Sequence, residues 1–96
     1  MSDLKDQVMA NVEQVNQCTD VIKFLNEEVL DINTTIGSDG QYRGSELALT
    51  LGGPTVYLYT RSGLIEGSWG SESFTANYDN DELDSMLEEL WDAQNQ

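Results

Sequence analysis

Apolar residues recur at helical spacing through the first part of the chain. Residues 1–36 contain neither Gly nor Pro. Once Asn11 is allowed to fill one gap, the apolar positions alternate between intervals of three and four residues, at Leu4, Val8, Val15, Cys18, Ile22, Leu25, Val29 and Ile32. Such intervals place side chains on one face of a helix. The pattern predicts an amphipathic helical segment over residues 3–32.

This segment is too long to remain one helix inside a small domain. A helix of ~30 residues measures about 45 Å, whereas a globular chain of ~100 residues has a radius of gyration of about 13 Å. In the first solution the helix breaks in the polar stretch at residues 16–20, where Thr19 or Asp20 could cap a second helix. In the second it projects and pairs with a copy of itself, with Asn11 fixing the register. We expect the break.

From Tyr42 onward the apolar residues alternate, as they do in strands. Leu47, Leu49 and Leu51 share one face of a first strand, Val56 and Leu58 alternate with Tyr57 and Tyr59 in a second, and residues 64–69 and 73–78 form a third and a fourth. Short turns between successive strands predict an antiparallel meander. The two tyrosines either face outward beside Arg61 or form a second packing face for the first helix.

After Tyr78 the spacing is helical again. Residues 79–82 supply a cap and negative charge at a helix N-terminus. The apolar residues that follow are Leu83, Met86, Leu87, Leu90 and Trp91. The predicted class is α+β, with an N-terminal helix or helix pair, a three- to four-stranded antiparallel β-meander and a C-terminal acidic amphipathic helix. A chain of 96 residues fits a single domain, residues 1–96.

The composition argues against common catalytic and metal chemistry. The chain has no His and one Cys, Cys18, so a Ser-His-Asp triad and the common zinc sites are absent from the sequence. Cys18 lies on the apolar stripe and is expected in the core. We therefore expect a binding protein without enzymatic activity, cofactor or metal. No apolar run approaches the ~20 residues of a membrane span, and residues 1–4 lack signal-peptide features, so the expected compartment is the cytoplasm.

Acidic residues are concentrated in the predicted helices. The chain carries 18 acidic and four basic residues, a net charge of −14. Residues 1–40 carry a net −6, residues 41–78 a net −1 and residues 79–96 a net −7. The predicted sheet is therefore nearly neutral. The helices hold almost all of the charge.

The last helix is expected to present an acidic ridge, formed by Asp81, Asp84, Glu88 and Asp92 at intervals of three and four residues, with Glu82 and Glu89 beside it. This ridge is predicted to be unpaired and to point away from the core. The macrodipole favours acids near the helix start, whereas it opposes Glu88, Glu89 and Asp92. Seven acids in residues 79–92 give about one charge per 3 Å, close to the ~3.4 Å phosphate spacing of a DNA strand.

The acidity is also compatible with solubility and with adaptation to high salt. A solvated acidic surface keeps a small protein soluble, and proteins adapted to high salt are likewise enriched in acids over lysines. Trp69 lies in the Gly-rich stretch at residues 67–70 and is expected to pack in the core, with exposure for contact as the alternative. Asp79 and Asp81 resemble the opening of a calcium loop, but Asp84 stands where that loop needs Gly.

In size, acidity and layout the chain resembles small phage-encoded anti-defence proteins, in particular anti-CRISPR proteins that mimic DNA. The stretches Leu51-Gly52-Gly53-Pro54-Thr55-Val56 and Glu66-Gly67-Ser68-Trp69-Gly70 also resemble a pattern in small phage proteins. The resemblance implies an inhibitor that competes with DNA for the basic surface of a CRISPR effector or restriction enzyme, in the host cytoplasm. It does not imply direct binding to nucleic acid or membrane.

The expected partner-binding residues are the acids of the last segment and the two outward tyrosines. They are Asp79, Asp81, Glu82, Asp84, Glu88, Glu89, Asp92, Tyr57 and Tyr59. The alternative function is a structural or regulatory module that forms a homodimer through its first helix, its acidity serving solubility.

Overall fold

The order of helices and strands follows the predicted α+β class. A computed structural model describes residues 3–52 and 54–94 of the chain. Its elements are α1 (Asp3–Asn16), α2 (Val21–Glu27), β1 (Asp31–Ile36), β2 (Tyr42–Thr50), β3 (Thr55–Tyr59), β4 (Leu64–Trp69), β5 (Glu72–Asn77) and α3 (Glu82–Gln94). The α+β prediction is confirmed.

The predicted break in the first helical segment is confirmed. α1 ends at Asn16, and α2 begins after Asp20, whose side chain accepts a hydrogen bond of 3.1 Å from the backbone N–H of Lys23. An aspartate here satisfies one of the amides that have no partner within the helix. The condition for the dimer, an unbroken first helix, is not met.

The prediction that helix continues to Ile32 is wrong, because residues 31–36 form strand β1. This segment is rich in β-branched side chains, which lose rotamer freedom in a helix and fit a pleated sheet. β1 pairs antiparallel with β2, from Asp31 opposite Ala48 to Ile36 opposite Tyr42. The described sheet therefore has five strands instead of three or four.

The strands follow one another across the sheet in the order β1-β2-β3-β4-β5, and every neighbouring pair is antiparallel. The predicted meander is confirmed. Leu58 of β3 lies opposite Leu47 of β2 and Ile65 of β4, so these three side chains share a face. β4 has the predicted bounds, and β5 begins and ends one residue earlier than predicted.

The helices lie on the face of the sheet that carries these aliphatic side chains, and α1, α2 and α3 together form the helix layer. α1 packs across β4 and β5, while α3 packs across β2. Gly67 of β4 permits the close approach of α1, because a Cβ there would lie 2.5 Å from the Val8 Cγ2 and 2.9 Å from the Leu4 Cδ1. The apolar stripe of α1 is thereby buried against the chain's own sheet.

Several predicted core residues lie outside the core. Leu51 follows the end of β2, beyond a bulge between Ala48 and Thr50 that ends the strict alternation, and it is exposed. Trp69 at the end of β4 is 48% exposed, so the core prediction is wrong and the contact alternative describes its position. Leu90 is 40% exposed. Gly53, between the first and second predicted strands, lies outside the described residues.

Asn11 does not need a partner helix to be satisfied. Its side chain is buried, and its Nδ2 donates a hydrogen bond of 3.0 Å to the carbonyl of Gln7 one turn earlier. Cys18 is half-buried and packs against the core cluster. Both residues therefore have local roles in the packing of the first helical segment.

Candidate partner-binding surface

The carboxylate of Asp84 is part of the fold. Its Oδ1 accepts hydrogen bonds from the Tyr42 hydroxyl at 3.0 Å and from the Thr60 Oγ1 at 2.7 Å. Its Oδ2 lies 3.1 Å from the Nε of Arg61. The side chain retains only 24% of its exposure. The prediction of an unpaired ridge that points away from the core is therefore wrong at this residue.

Strand pairing explains why these groups meet. β2 begins at Tyr42 and β3 ends at Tyr59. Because the two strands are antiparallel, these two strand ends lie together at one end of the sheet. Thr60 follows directly and also accepts a hydrogen bond of 2.9 Å from the N–H of Ser45. α3 begins at the same end of the sheet, so the Asp84 carboxylate lies within hydrogen-bonding distance of the Tyr42 and Thr60 hydroxyls.

Arg61 joins two acids of α3 to the sheet. Besides Asp84, its Nη2 lies 3.4 Å from the Oε1 of Glu88, and its guanidinium lies 5.3 Å from the ring centroid of Tyr42. Glu88 is therefore also paired, contrary to prediction. No spacing rule links Arg61 to residues of the last helix. The one sequence signal was the position of Arg61 just after β3, in a nearly neutral segment with few acids of its own.

Buried phenols surround this polar cluster. Burial is the largest cause that raises the pKa of Tyr42, and the Asp84 carboxylate raises it further, while hydrogen bonds to Ser45 and Thr60 lower it. Burial, followed by the charge of Asp84, raises the pKa of Tyr78 to about 12. The Tyr78 hydroxyl donates to the carbonyls of Tyr59 and Thr60, at 3.4 Å each. Both phenols are neutral at physiological pH.

The segment that leads into α3 is tied to the end of α1. The Nδ2 of Asn80 donates a hydrogen bond of 2.8 Å to the carbonyl of Val15, and the N–H of Asp79 donates one of 2.6 Å to the Oδ1 of Asn16. The Oδ1 of Asn80 accepts from the N–H of Glu82 at 3.1 Å. These contacts fix the backbone, so the carboxylates of Asp79 and Glu82 point into solvent from an anchored turn.

Exposed acids cover the outer side of the helix layer and the turns that adjoin it. The ten residues are Asp6, Glu13, Asp20, Glu27, Glu28, Asp79, Asp81, Glu82, Glu89 and Asp92. Within the described part of the chain none of them forms an ion pair. The bases among these helices are Lys5 and Lys23, and the Nζ of Lys5 lies 5.9 Å from the ring centroid of Phe74. The result is a broad acidic surface.

Both arginines are paired with acids outside this set of ten, and Arg61 also lines a groove together with Asp81. Arg43 and Arg61 line one open groove of about 430 Å³ together with Glu46 and Tyr59. The Nη2 of Arg43 lies 2.9 Å from the Oδ2 of Asp39. Since Arg61 is paired with acids of α3, local partners neutralise both guanidinium groups. Within the described residues neither arginine forms an ion pair with any of the ten exposed acids.

Tyr57 and Tyr59 lie on the other side of the sheet from the ten exposed acids of the helix layer. They alternate with the buried Val56 and Leu58, so they occupy the sheet face that no described helix covers, which we call the open face. Of the two alternatives for these tyrosines, the outward position describes them, since α1 packs across β4 and β5 on the other face. The Tyr59 hydroxyl donates to the Oε1 of Glu66 at 3.4 Å. Burial raises the pKa of Tyr59, and the charges of Glu66 and Glu46 add to the effect.

The predicted site residues therefore divide into three groups. Asp79, Asp81, Glu82, Glu89 and Asp92 lie together on the acidic helix layer. Asp84 and Glu88 are bound to Arg61. Tyr57 and Tyr59 belong to the open face, so one flat partner surface cannot contact them and the acids at once.

Among residues 3–52 and 54–94, no group of three or more Cys, Asp or Glu side chains is arranged to hold a metal ion. In the same part of the chain no helix is long and apolar enough to cross a membrane. No family model matches the chain, and neither a curated protein nor a solved structure matches it. The fold and the surface define a small acidic α+β protein, and the distribution of its charge is the basis for a functional proposal.

Proposed function

We propose that this chain is a non-enzymatic acidic binding protein that occupies the basic nucleic-acid-binding surface of another protein in the cytoplasm. The partner class is a CRISPR effector or restriction enzyme, and inhibition results from competition with DNA. One observation carries the proposal: ten exposed acids on the helix layer and its adjoining turns have no ion-pair partner among the described residues, while both arginines are paired with other acids.

A protein surface that binds DNA is lined by Lys and Arg that neutralise phosphates. Carboxylates held on packed helices can take the place of phosphates without the cost of ordering a flexible chain. α3 and the turn before it contribute half of the ten exposed acids, and the 13 residues of the helix extend about 20 Å. Glu89 and Asp92 lie near its C-terminal end, where the macrodipole opposes negative charge, so helix stability gives no reason for them.

The fold changes which residues carry the proposal. Asp79, Asp81, Glu82, Glu89 and Asp92 are assigned to phosphate-binding groups of the partner. Asp84 and Glu88 are assigned to holding α3 on the sheet through Arg61. Tyr57 and Tyr59 are left out of this surface because they lie on the open face.

The alternative, a homodimer through α1, has no specific observation in its favour. Leu4, Val8 and Val15 are completely or almost completely buried against the chain's own sheet. They therefore offer no apolar seam to a second copy. Solubility alone would also account for the acidity, and the following experiment separates it from binding.

The test compares two double charge reversals of equal size in a DNA-cleavage competition assay. A panel of RNA-guided nucleases and restriction enzymes is assayed with the parent, with Glu89→Lys/Asp92→Lys, and with Glu66→Lys/Glu72→Lys. All four side chains are exposed, and the second pair lies on β4 and β5 of the sheet. We expect the parent to inhibit at least one enzyme, the α3 variant to lose at least about tenfold in potency, and the sheet variant to lose little.

Salt dependence gives the second readout. Contacts that replace phosphates weaken steeply between roughly 50 and 200 mM salt. Inhibition that ignores salt, or equal inhibition by the two double variants, contradicts the proposal. Binding of the parent to free duplex DNA also contradicts it, since a net charge of −14 repels DNA.

A further inference from the structure

β1 is an edge strand whose free edge and both faces are largely exposed to solvent. It pairs with β2, and within the described residues no strand lies beyond it. Residues 31–35 are exposed and Ile36 is half-buried. The other edge strand, β5, is covered on one face by α1, with Phe74 and Ala76 packed against the core. The two edges of this sheet therefore differ in how much of their surface is available.

The backbone of β1 offers hydrogen-bonding groups to a further strand. The N–H of Ile32 points to the free edge, where it donates to the Oδ1 of Asp31 at 3.0 Å, so a further strand that uses this N–H must displace the Asp31 carboxylate. Because backbone N–H groups alternate in direction along a strand, the N–H of Thr34 also points there. Natural edges are usually blocked by Lys, Pro or inward-pointing charge. The six residues of β1 include neither Lys nor Pro; the strand carries one charge, Asp31 at its start, and a bulge between Thr34 and Ile36 near its end.

The two sides of this edge have different chemistry. Ile32 lies opposite Leu47 and so belongs to the side of the helix layer, where it is 39% exposed. Leu30, directly before the strand, is 61% exposed. Asn33 lies opposite Glu46 on the open face, and Asp31 lies on that same face opposite Ala48. A strand laid beside β1 would meet apolar surface on one side and carboxylates on the other.

We propose that the free edge of β1 accepts an extended strand from a basic protein partner, in which Lys or Arg residues alternate with apolar ones. The inference rests on the proposed function and names a surface through which the basic partner is engaged. Main-chain hydrogen bonds give affinity in this mode, and alternate side chains give specificity. Charge selects the occupant, because a second copy carries the same net −14 and is repelled.

The probe is an eight-residue peptide of alternating Lys and Val, added to the isotope-labelled chain at neutral pH. Its controls are a peptide with the same residues in two blocks, four Lys followed by four Val, and an alternating Glu and Val peptide. We expect the alternating Lys peptide to cause the largest amide shifts in β1 and to slow hydrogen exchange at Ile32 and Thr34. The block peptide matches its charge but cannot present the alternation.

A pair of matched variants locates the contact. Asn33→Lys/Thr35→Lys adds two cations to one face of β1, and Thr75→Lys/Asn77→Lys adds the same charge to exposed positions of β5. Like charges across neighbouring strands repel each other. We therefore expect the first variant to weaken binding of the alternating Lys peptide by about tenfold and the second to weaken it by less than about twofold. Amide spectra of the free variants check that both keep the fold.

The outcomes separate this inference from the proposed function. Shifts confined to the acids of the helix layer, or equal binding of the block peptide, overturn the β1 site and leave the proposed function standing. Slowed exchange at β1 together with failure to inhibit any DNA-handling enzyme would support the β1 site and overturn the proposed function. A doubled mass in light scattering that the β1 variant abolishes would make a second copy the occupant, which also overturns the proposal.

Discussion

The two halves of α3 carry similar side chains, but those compared in the first half are buried or paired with the sheet, and those compared in the second half are exposed. In the first half Leu83 is completely buried. Asp84 accepts hydrogen bonds from two hydroxyls and forms an ion pair with Arg61. In the second half Leu90 is 40% exposed, and Asp92 has no ion-pair partner among the described residues. A carboxylate of α3 stabilises the fold where the sheet supplies hydroxyls and an arginine to bind it, as at Asp84.

The difference also separates stability from function. Glu82 lies at the start of α3, where the macrodipole favours an acid. Glu89 and Asp92 lie near the other end, where the same dipole opposes them. All the exposed acids that no base neutralises are available to a partner, and Glu89 and Asp92 are the two among them that the helix dipole also disfavours. Substitutions in each half can test this division of α3, from its largest expected effect to its smallest.

The largest effect is expected from truncation of the two leucines. Leu83→Ala should lower the free energy of unfolding by about 2 to 5 kcal/mol, because it opens a cavity among fully buried side chains. Leu90→Ala should cost less than about 1 kcal/mol, since its side chain keeps much of its exposure to water. Equilibrium urea unfolding of both variants measures the difference. Equal losses would mean that the second half of α3 is packed as firmly as the first.

The next effect concerns the carboxylates. Asp84→Ala leaves the hydroxyls of Tyr42 and Thr60 without their acceptor, which should cost about 1 to 3 kcal/mol. Asp92→Ala on the same helix is the matched control, and its effect should stay within about 0.5 kcal/mol. Urea unfolding again gives the values. A neutral Asp84→Ala would show that the polar cluster adds nothing to the packing of α3.

Local periodicity was enough to predict most of the elements. Alternation identified β3 and β4, and the polar residues at 16–20 identified the helix break, because in these places the local preference and the tertiary environment agree. β1 was missed because Val29 and Ile32 continue a helical spacing, and pairing with β2 overrides that spacing. A short segment can satisfy both patterns, and only its partner strand decides between them.

The candidate site divides in the same way. The exposure of Glu89 and Asp92 follows from their position opposite the apolar face of one helix. The roles of Asp84 and Glu88 depend on Arg61, which is distant in sequence and reaches them only when β2 and β3 pair. Charge patterning along a helix reports where the acids are, but it does not report which counter-charges the rest of the chain brings to them.

Alkaline pH should lower the stability of the fold through Tyr78, which precedes α3 and lies near Asp84. The pKa of Tyr78 is raised from 10.0 to about 12 in the folded chain, so its neutral form is favoured there. The stabilisation is complete below pH 10 and is lost as the pH rises from 10 to about 12. The melting temperature of the parent should fall more steeply over this interval than that of Tyr78→Phe. Parallel curves for the two proteins would contradict this coupling.

The smallest effect, and the only gain, is expected at the C-terminal end of α3. Glu89→Lys/Asp92→Lys removes the like-charge repulsion between Glu88 and Asp92 and places cations where the macrodipole favours them, so stability should rise by about 0.5 to 1 kcal/mol. Thermal melting measures the rise, which should shrink near 1 M salt because the Debye length is about 3 Å there. Glu66→Lys/Glu72→Lys, with equal charge and no helix dipole, controls for net charge. A loss above about 1 kcal/mol would make these acids structural, and the two halves of α3 would then be alike.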